Sequence, residues 1–402
     1  MSLLAKHRTL FSLIVIVTIL VASTAAIFWA RGFKPDFKRG RIERTGLLVV
    51  ASVPTGAQVY LDDRLTSATD TNIAFLEPKV YKLKIQKDGY TTWEKDIRIN
   101  ADLATEIKAL LFPLAPEIKP LTTTGAANPN LSPDSTKIVY GSPGERGGLY
   151  MMPLSDSPLA FRQNPRLLVK NQVSFDFTKA KFIWGPDSKQ LIASIENDKG
   201  IVTANLLIDT EKVDQDIRDV TGALSATLSS WQEELNATAQ TQAILAPDSV
   251  KEATATASLA SPSPSPLSPR NLTTQQPNNP ATQINYFPTG LIFSPDEEKI
   301  IYQNKEQKYK VYDLKLKEEY ELPTFADFVD ISWFPDSNHL VIAQKDLISI
   351  IEVDGNNKMT VFSGKYENGF VFAHPSATRL IILTTLTQTE GTLPNLYAVN
   401  LR

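Results

Sequence analysis

The 402-residue chain contains no cysteine, which excludes disulfide bonds, thiolate metal sites and cysteine nucleophiles. It has only three histidines, His7, His339 and His374, so a histidine-rich metal centre is not expected. The net charge of −3 indicates no broad basic face, and no nucleic-acid partner is predicted. Nucleotide-binding glycine loops, the G-x-S-x-G elbow and the H-E-x-x-H helix are all missing. The sequence therefore predicts no catalytic residue, no metal ligand and no cofactor.

An uncharged segment near the N-terminus, residues 9–30, is rich in Leu, Ile, Val and Phe. As a helix its 22 residues would span about 33 Å, which matches the hydrocarbon core of a bilayer. A cleaved signal peptide ending near 23–26 is less favoured, because the apolar stretch continues through Trp29. The sequence predicts a membrane anchor over residues 1–31 that contacts the bilayer through residues 9–30.

A basic stretch, residues 32–45, follows the anchor and is interpreted as a juxtamembrane stalk. More basic residues follow the apolar segment than precede it, and the positive-inside rule would place the large C-terminal part in the cytoplasm. Long domains translocate largely regardless of charge, and the short basic leader is typical of an export signal. We therefore expect a single-pass cell-membrane protein whose C-terminal part is extracytoplasmic. The protein would be a sensor that faces the cytoplasm only if the positive-inside rule determines its orientation.

Residues 46–113 show the periodicity of strands. An apolar run at 47–53 ends at Pro54, a second strand covers 58–61, and alternation from 80 to 87 places Tyr81, Leu83 and Ile85 on one face. Trp93 and two isoleucines carry the inward face of the next strand. A small β-sandwich is predicted.

Two motifs in this region carry a resemblance. Pro54-Thr55-Gly56-Ala57 and Lys87-Asp88-Gly89-Tyr90, within SVPTGAQVYLDD and KVYKLKIQKDGYTTWEKDIRI, resemble the PEGA domain family. Thr55 replaces the glutamate of the family's name motif. The resemblance implies a binding or spacing module of surface or envelope proteins, without catalytic residues. Tyr90 and Trp93 are interpreted as core aromatics.

A short phrase recurs five times along the rest of the chain: an apolar residue, Pro, usually Asp, and then a β-branched run. The copies are LSPDSTKIVY from Leu131, WGPDSKQLIA from Trp184, FSPDEEKIIY from Phe293, WFPDSNHLVIA from Trp333 and FAHPSATRLIIL from Phe372. The last three prolines, Pro295, Pro335 and Pro375, lie 40 residues apart, which is the length of one four-stranded propeller blade.

These repeats resemble the WD-type propeller repeats of the TolB C-terminal domain, whose turn is aromatic-Ser-Pro-Asp-Gly. The glycine is absent from every copy and is replaced by Ser135, Ser188, Glu297, Ser337 and Ala377. We therefore expect a turn type that tolerates negative φ at this position. The predicted propeller covers residues 128–210 and 284–402, after a linker at 114–127. Its length allows five blades, with a sixth possible in the inserted part.

The insertion between the two propeller segments has two parts. Apolar residues every three or four positions from Val213 to Leu235 predict an amphipathic helix over residues 211–248, and an exposed apolar stripe there would indicate a partner groove. Residues 249–283, rich in Ser, Pro and Thr, predict a disordered linker. The expected fold class is all-β: a transmembrane helix, a PEGA-like β-sandwich, and a five- or six-bladed propeller with a helical and disordered insertion.

The repeated Asp134, Asp187, Asp296 and Asp336 are interpreted as turn residues, and His339 and His374 lie in the same motifs. The leading hypothesis is a membrane-anchored envelope protein that is not an enzyme. Its propeller would be a binding or scaffolding platform for a protein partner or a cell-wall component. The alternative is a propeller hydrolase acting on envelope glycans through a pair of carboxylates.

Overall fold

The computed structural model describes residues 2–30, 33–36, 41–155, 164–213, 215–258, 284–367, 369–386 and 393–402. These residues divide into two compact units, 1–114 and 115–402. Most of the predicted linker, 259–283, lies outside the described residues, as do the short segments between the ranges given above.

The first unit begins with a long helix, α1, Ser2–Ala30. The large apolar side chains described between Phe11 and Ile27 are exposed. Among the described residues, no helix has both the length and the apolarity that a membrane span requires. The predicted anchor over 1–31 is therefore not supported by the structure.

The described part of the predicted juxtamembrane stalk, residues 32–45, contains two strands. Two short strands, β1 (Phe33–Asp36) and β2 (Arg41–Arg44), pair in antiparallel fashion within it. This pairing satisfies backbone groups that a single extended stalk would leave to water.

Seven strands form the small β domain in two sheets. One sheet has the order β6-β3-β9 and the other the order β5-β4-β7-β8. The strands are β3 (Gly46–Val53), β4 (Gln58–Leu61), β5 (Arg64–Ala68), β6 (Thr71–Leu76), β7 (Val80–Gln86), β8 (Trp93–Arg98) and β9 (Ala104–Leu110). Leu48 and Val50 from the first sheet share one core with Leu83, Ile85 and Trp93 from the second. This arrangement is the predicted sandwich; β5, β6 and β9 were not foreseen.

Among its described residues, the second unit contains five four-stranded antiparallel sheets, and each is a propeller blade. Their strands are β10 (Ile118–Pro120), β11 (Ala127–Leu131), β12 (Lys137–Ser142), β13 (Gly148–Pro153), β14 (Arg166–Lys170), β15 (Ala180–Trp184), β16 (Gln190–Glu196), β17 (Val202–Asp209), β18 (Arg218–Asp219), β19 (Ile292–Phe293), β20 (Lys299–Gln303), β21 (Tyr309–Asp313), β22 (Glu318–Glu321), β23 (Phe328–Trp333), β24 (His339–Gln344), β25 (Leu347–Glu352), β26 (Met359–Ser363), β27 (Val371–Ala373), β28 (Arg379–Thr384) and β29 (Asn395–Asn400). Blade 1 is β11–β14, blade 2 is β15–β18, blade 3 is β19–β22, and blade 4 is β23–β26.

Blade 5 joins the two ends of the second unit. It has the order β10-β29-β28-β27, so a strand from the start of the unit completes the last sheet. Lys119 lies opposite Ala398 in this pairing. The predicted linker, 114–127, therefore contains β10 and closes the ring. The fourth strand of this blade was not recognised because three residues carry no periodic signal.

Buried side chains pack the blades against one another in chain order, with one exception. Blade 1 shares a core with blade 2 and a second core with blade 5, while blade 3 shares one with blade 4. Between blades 4 and 5, Gly369 lies against Val329 and the Tyr366 hydroxyl donates to the Gln344 carbonyl.

The exception lies between blades 2 and 3, where two helices intervene. Helix α2 (Leu224–Ala243) packs Leu224, Leu228 and Trp231 on the face of blade 2 that is turned away from blade 1. Helix α3 (Asp248–Ser258) packs Val250 on the face of blade 3 that is turned away from blade 4. The helices thus take the position of a sixth blade in a ring that has five sheets among its described residues.

The helix predicted over 211–248 exists and packs through its apolar residues, but it begins later in the chain than predicted. Residues 218–219 instead form β18, the fourth strand of blade 2, and α2 begins at Leu224. Leu224, Leu228, Trp231 and Leu235 of this helix pack against blade 2, so the apolar stripe is not exposed as a partner groove would require. The first turns of the predicted linker at 249–283 are helical in α3.

The expectation of negative φ at the replaced glycine is wrong. Ser135, Ser188, Glu297, Ser337 and Ala377 all adopt the left-handed conformation, with φ between 56° and 59°. In each copy the amide of this residue donates to the carbonyl three residues earlier, and the turn then re-enters the sheet. The hairpin geometry therefore requires positive φ even where no glycine is available.

Candidate functional site

The four repeated aspartates are all engaged in their own turns. In each of Asp134, Asp187, Asp296 and Asp336, Oδ1 accepts a hydrogen bond from the backbone amide two residues later, at 2.9–3.1 Å. Ser132 and Ser294 add a hydroxyl donor to Asp134 and Asp296. Because these carboxylates hold the turns, they are poorly placed to exchange protons with a substrate.

Two of the turns are also joined across blades. The backbone amide of Asp134 donates to the Ser188 hydroxyl of blade 2 at 3.1 Å, and that of Asp296 donates to Ser337 of blade 4 at 3.2 Å. The Lys137 ammonium reinforces the first link by donating to the Ser188 carbonyl at 2.9 Å. The serine that replaces the repeat's glycine thus ties one blade to its neighbour.

His339 is buried next to Asp336. Its Nδ1 lies 2.7 Å from Asp336 Oδ2, and its ring packs edge-on against Phe334. Burial acts to raise the pKa of Asp336, but the hydrogen bonds from His339 and the turn amides outweigh it, so the pKa lies below its ordinary value. His374 is likewise buried, with Nδ1 2.8 Å from the Ser376 hydroxyl and Nε2 2.9 Å from Arg379.

A separate cluster of polar and aromatic residues surrounds Asp330, which is buried on the innermost strand of blade 4. Burial, followed by the charge of Asp330, raises the pKa of the buried Tyr309 hydroxyl on blade 3. Burial, followed by the charges of Asp330 and Asp346, raises the pKa of Tyr366 to about 12. The Tyr309 ring packs against Phe328 with centroids 5.2 Å apart. The charge of Asp330 therefore influences a phenol on blade 3 and a phenol in the segment between blades 4 and 5.

The outer rim between blades 1 and 2 holds an open cleft of about 460 Å³. Its lining comes from the end of β14, the loop that follows it and the segment before β18: Leu168, Val169, Lys170, Gln172, Phe175, Gln215, Asp216 and Ile217. The volume is in the range of small-ligand sites. Phe175 and Ile217 supply apolar surface, while Lys170 and Asp216 supply opposite charges.

The walls of this cleft are held by internal hydrogen bonds. The Gln215 side chain accepts from the Asp209 amide at 2.8 Å and donates to the Asp209 carbonyl at 2.7 Å. The Phe175 ring packs edge-on against the buried Phe177 ring, 5.5 Å away. Lys170 and Asp216 are exposed and form no ion pair among the described residues. The cleft therefore combines fixed walls with charges that are available to a ligand.

In the small β domain, the two motifs recognised in the sequence touch each other. The Lys87 ammonium donates to the Thr55 carbonyl at 2.5 Å, which joins the Lys-Asp-Gly-Tyr turn to the Pro-Thr-Gly-Ala turn. Thr69 also holds the Pro-Thr-Gly-Ala turn. Its carbonyl accepts a hydrogen bond from the Gly56 amide at 2.8 Å, and its hydroxyl accepts one from the Ala57 amide at 2.9 Å. Trp93 is buried in the core of the domain, and the partly buried Tyr90 packs against that core. Both motifs have structural roles in this domain.

No group of three or more acidic or histidine side chains suited to a metal ion occurs in the part of the chain that the structure describes. The prediction that the protein needs no metal or cofactor stays a prediction.

Comparison with known families supports the assignment of the first unit. Residues 45–113 match the PEGA domain model, and these bounds agree with the predicted domain at 46–113. The match covers one part of the chain, and the propeller lies outside it. No curated protein is detectably similar in sequence to the whole chain.

Several solved structures resemble the chain at low identity. A protein assigned as TolB from Agrobacterium tumefaciens is 14% identical with a TM-score of 0.22, over 68% of this chain and 72% of that one. TolB from Acinetobacter baumannii is 14% identical with a TM-score of 0.19, over 80% of this chain but only 56% of that one. An oligogalacturonate lyase in complex with manganese is 10% identical with a TM-score of 0.31, over 90% and 98%. TolB proteins are thus among the similar structures, and the blade topology itself defines the propeller.

Proposed function

We propose that the chain is an envelope-associated binding protein in which the PEGA domain is a spacer and the propeller is a scaffold without chemistry of its own. The observation that carries the proposal is the engagement of all four repeated aspartates in turn hydrogen bonds. The repeated aspartates therefore stabilise the ring, and a partner would be recognised by the rim and the loops of the propeller. The partner we propose is an envelope protein or a cell-wall polymer.

The proposed location is the cell membrane, with the C-terminal part outside the cytoplasm. The uncharged stretch at residues 9–30 and the basic leader before it support this location. We expect the full-length protein to stay in the membrane pellet after carbonate washing. A C-terminal tag should be digested by protease added to spheroplasts without lysis. Recovery of the intact chain in the soluble fraction would contradict the anchor, and a tag digested only after lysis would contradict the orientation.

A hydrolase acting on envelope glycans is the second candidate function. The Asp330 cluster favours it, because a buried acid lies on an innermost strand, and its charge adds to burial in raising the pKa values of Tyr309 and Tyr366. A glycosidase of the usual kind needs a second carboxylate on the other side of the scissile bond.

One pair of measurements separates the two functions. Purified full-length protein is incubated with cell-wall glycans, and the products are compared with those of Asp330→Asn. It is also cross-linked in intact cells, and the covalent adducts are identified. We expect no turnover by either protein and one stoichiometric adduct with both. Turnover that Asp330→Asn abolishes would establish the hydrolase and contradict the scaffold.

A further inference from the structure

The outer strand of blade 1 differs from most other outer strands of the ring. Strand β14 pairs with β13 on one edge, and among the described residues no strand pairs with its other edge. Three of the other outer strands carry features that discourage pairing: β10 contains Pro120, β18 has only two residues, and β22 presents three glutamates. The centre of β14 is apolar instead, with Leu167, Leu168 and Val169 in sequence.

The cleft of about 460 Å³ borders this same strand. Its apolar surface comes from Phe175 and Ile217, which pack against the core shared by blades 1 and 2. The residue at the tip of the adjoining loop, Val173, is fully exposed. An unpaired strand edge next to a cleft that contains apolar side chains is an arrangement that extended peptides use when they add a strand to a sheet.

The charges around the cleft define which peptide would fit. Lys170 ends β14 and Asp216 lies in the segment before β18, and both residues line the cleft. Both are exposed, and neither takes part in an ion pair of the described residues. An extended ligand with an acidic group at one end and a basic group at the other would pair with both charges.

We propose that an extended peptide segment of a protein partner adds as a strand to the free edge of β14. Its alternate apolar side chains enter the cleft at Phe175 and Ile217, and its terminal acidic and basic residues meet Lys170 and Asp216. This proposal rests on the binding function proposed above and names its surface and partner class. A glycan ligand in the same cleft is the competing outcome.

The experiment uses the full-length protein in detergent and a phage-displayed library of random heptapeptides. Selected peptides are synthesised and titrated against the wild type, Lys170→Glu, Asp216→Lys and the control Lys199→Glu, which changes an exposed loop lysine away from the cleft lining. We expect peptides with alternating apolar residues and charged ends. Each cleft variant should weaken them about five- to tenfold, and the control should not. A peptide with its end charges exchanged should regain affinity for the double variant K170E/D216K.

A second readout distinguishes strand addition from side-chain docking. Amide hydrogen exchange of Leu167–Lys170 should slow when a selected peptide is bound, because new backbone hydrogen bonds protect this edge. Peptides that bind equally to all variants, or that leave β14 unprotected, would overturn the cleft proposal while the scaffold function stands. Soluble cell-wall fragments that bind instead, and lose affinity in Lys170→Glu, would overturn the peptide proposal. Turnover of those fragments would overturn the scaffold function itself.

Discussion

The indole ring of Trp231 on α2 lies against Gly185 in the turn of blade 2, so that a Cβ added at Gly185 would come within 3.1 Å of the ring. The other four copies of the repeat have Ser132, Ser294, Phe334 and His374 at the equivalent position. The copy of the repeat that packs against α2 is therefore the one that has glycine at this position. Tyr286 supports the same junction by donating its hydroxyl to the Trp184 carbonyl at 2.7 Å.

We expect Gly185→Ala to lower the free energy of unfolding by about 1–3 kcal/mol, because the methyl group overpacks the contact with Trp231. The same change should have almost no effect in a Trp231→Ala background, where the ring is absent. Urea unfolding of the two single variants and the double variant measures this coupling. Gly222→Ala, where an added Cβ meets nothing within 4 Å, is the matched control. Additive effects of the two changes would show that helix and turn do not interact.

Glycine substitutions at the left-handed residues of the turns should change the stability of the protein by different amounts. Glu297→Gly and Ala377→Gly should stabilise the protein by about 0.5–1 kcal/mol each, because glycine removes the steric penalty at positive φ. Ser188→Gly and Ser337→Gly gain the same relief but lose the hydroxyl that accepts from Asp134 or Asp296. We expect those two changes to be neutral or destabilising by up to about 1 kcal/mol. Equal stabilisation by all four changes in thermal unfolding would mean that the cross-blade bonds contribute nothing.

The contact between Asp336 and His339 predicts a dependence on pH. Because the folded pKa of Asp336 lies below its ordinary value, the ionised carboxylate stabilises the fold. This contribution is complete above the unfolded value of about 3.9 and is lost as the pH falls through the folded pKa. Asp336→Asn should therefore lower the free energy of unfolding at pH 7 by about 1–3 kcal/mol. The difference from wild type should shrink below about pH 4. A difference that is constant between pH 3 and pH 7 would contradict this account.

In the PEGA domain, Lys87→Met should loosen the two motif turns. The lost hydrogen bond to the Thr55 carbonyl is exposed, so a small local effect is expected. Amide exchange at Gly56 and Ala57 should accelerate about two- to fivefold, with little change in the core strands. Lys108→Met, an exposed lysine on β9, serves as the control. Equal acceleration in both variants would show that Lys87 has no special role.

Much of this fold can be read from the sequence, because the repeat places proline, aspartate and a β-branched run at fixed spacing. The first two or three strands of each blade follow from it, as do β3, β4, β7 and β8 of the PEGA domain. Three-residue β10 and two-residue β18 are too short to carry a period, and their pairing depends on distant chain segments.

The conformation of Glu297 and Ala377 could not be predicted either, since these residue types disfavour positive φ and only the hairpin geometry imposes it. The cleft could not be predicted, because Lys170 ends β14, Phe175 lies in the following loop and Asp216 lies in a segment of blade 2, and the three share no motif. The one feature of the sequence that could have indicated the cleft is the apolar outer strand β14, which is followed by a loop with an exposed valine. The Asp330 cluster has no motif for the same reason.

The proposed scaffold depends on a propeller ring that is closed by the pairing of β10 with β29, and the cysteine-free chain allows a direct test. Lys119→Cys and Ala398→Cys place two thiols on residues that lie opposite each other in an antiparallel pair, within the Cα separation that a disulfide spans. We expect mild oxidation of the folded double variant to form this intramolecular disulfide nearly completely, and Lys119→Cys combined with Lys345→Cys to form none. Two free thiols in the first variant after oxidation, with the fold intact, would contradict the closed ring.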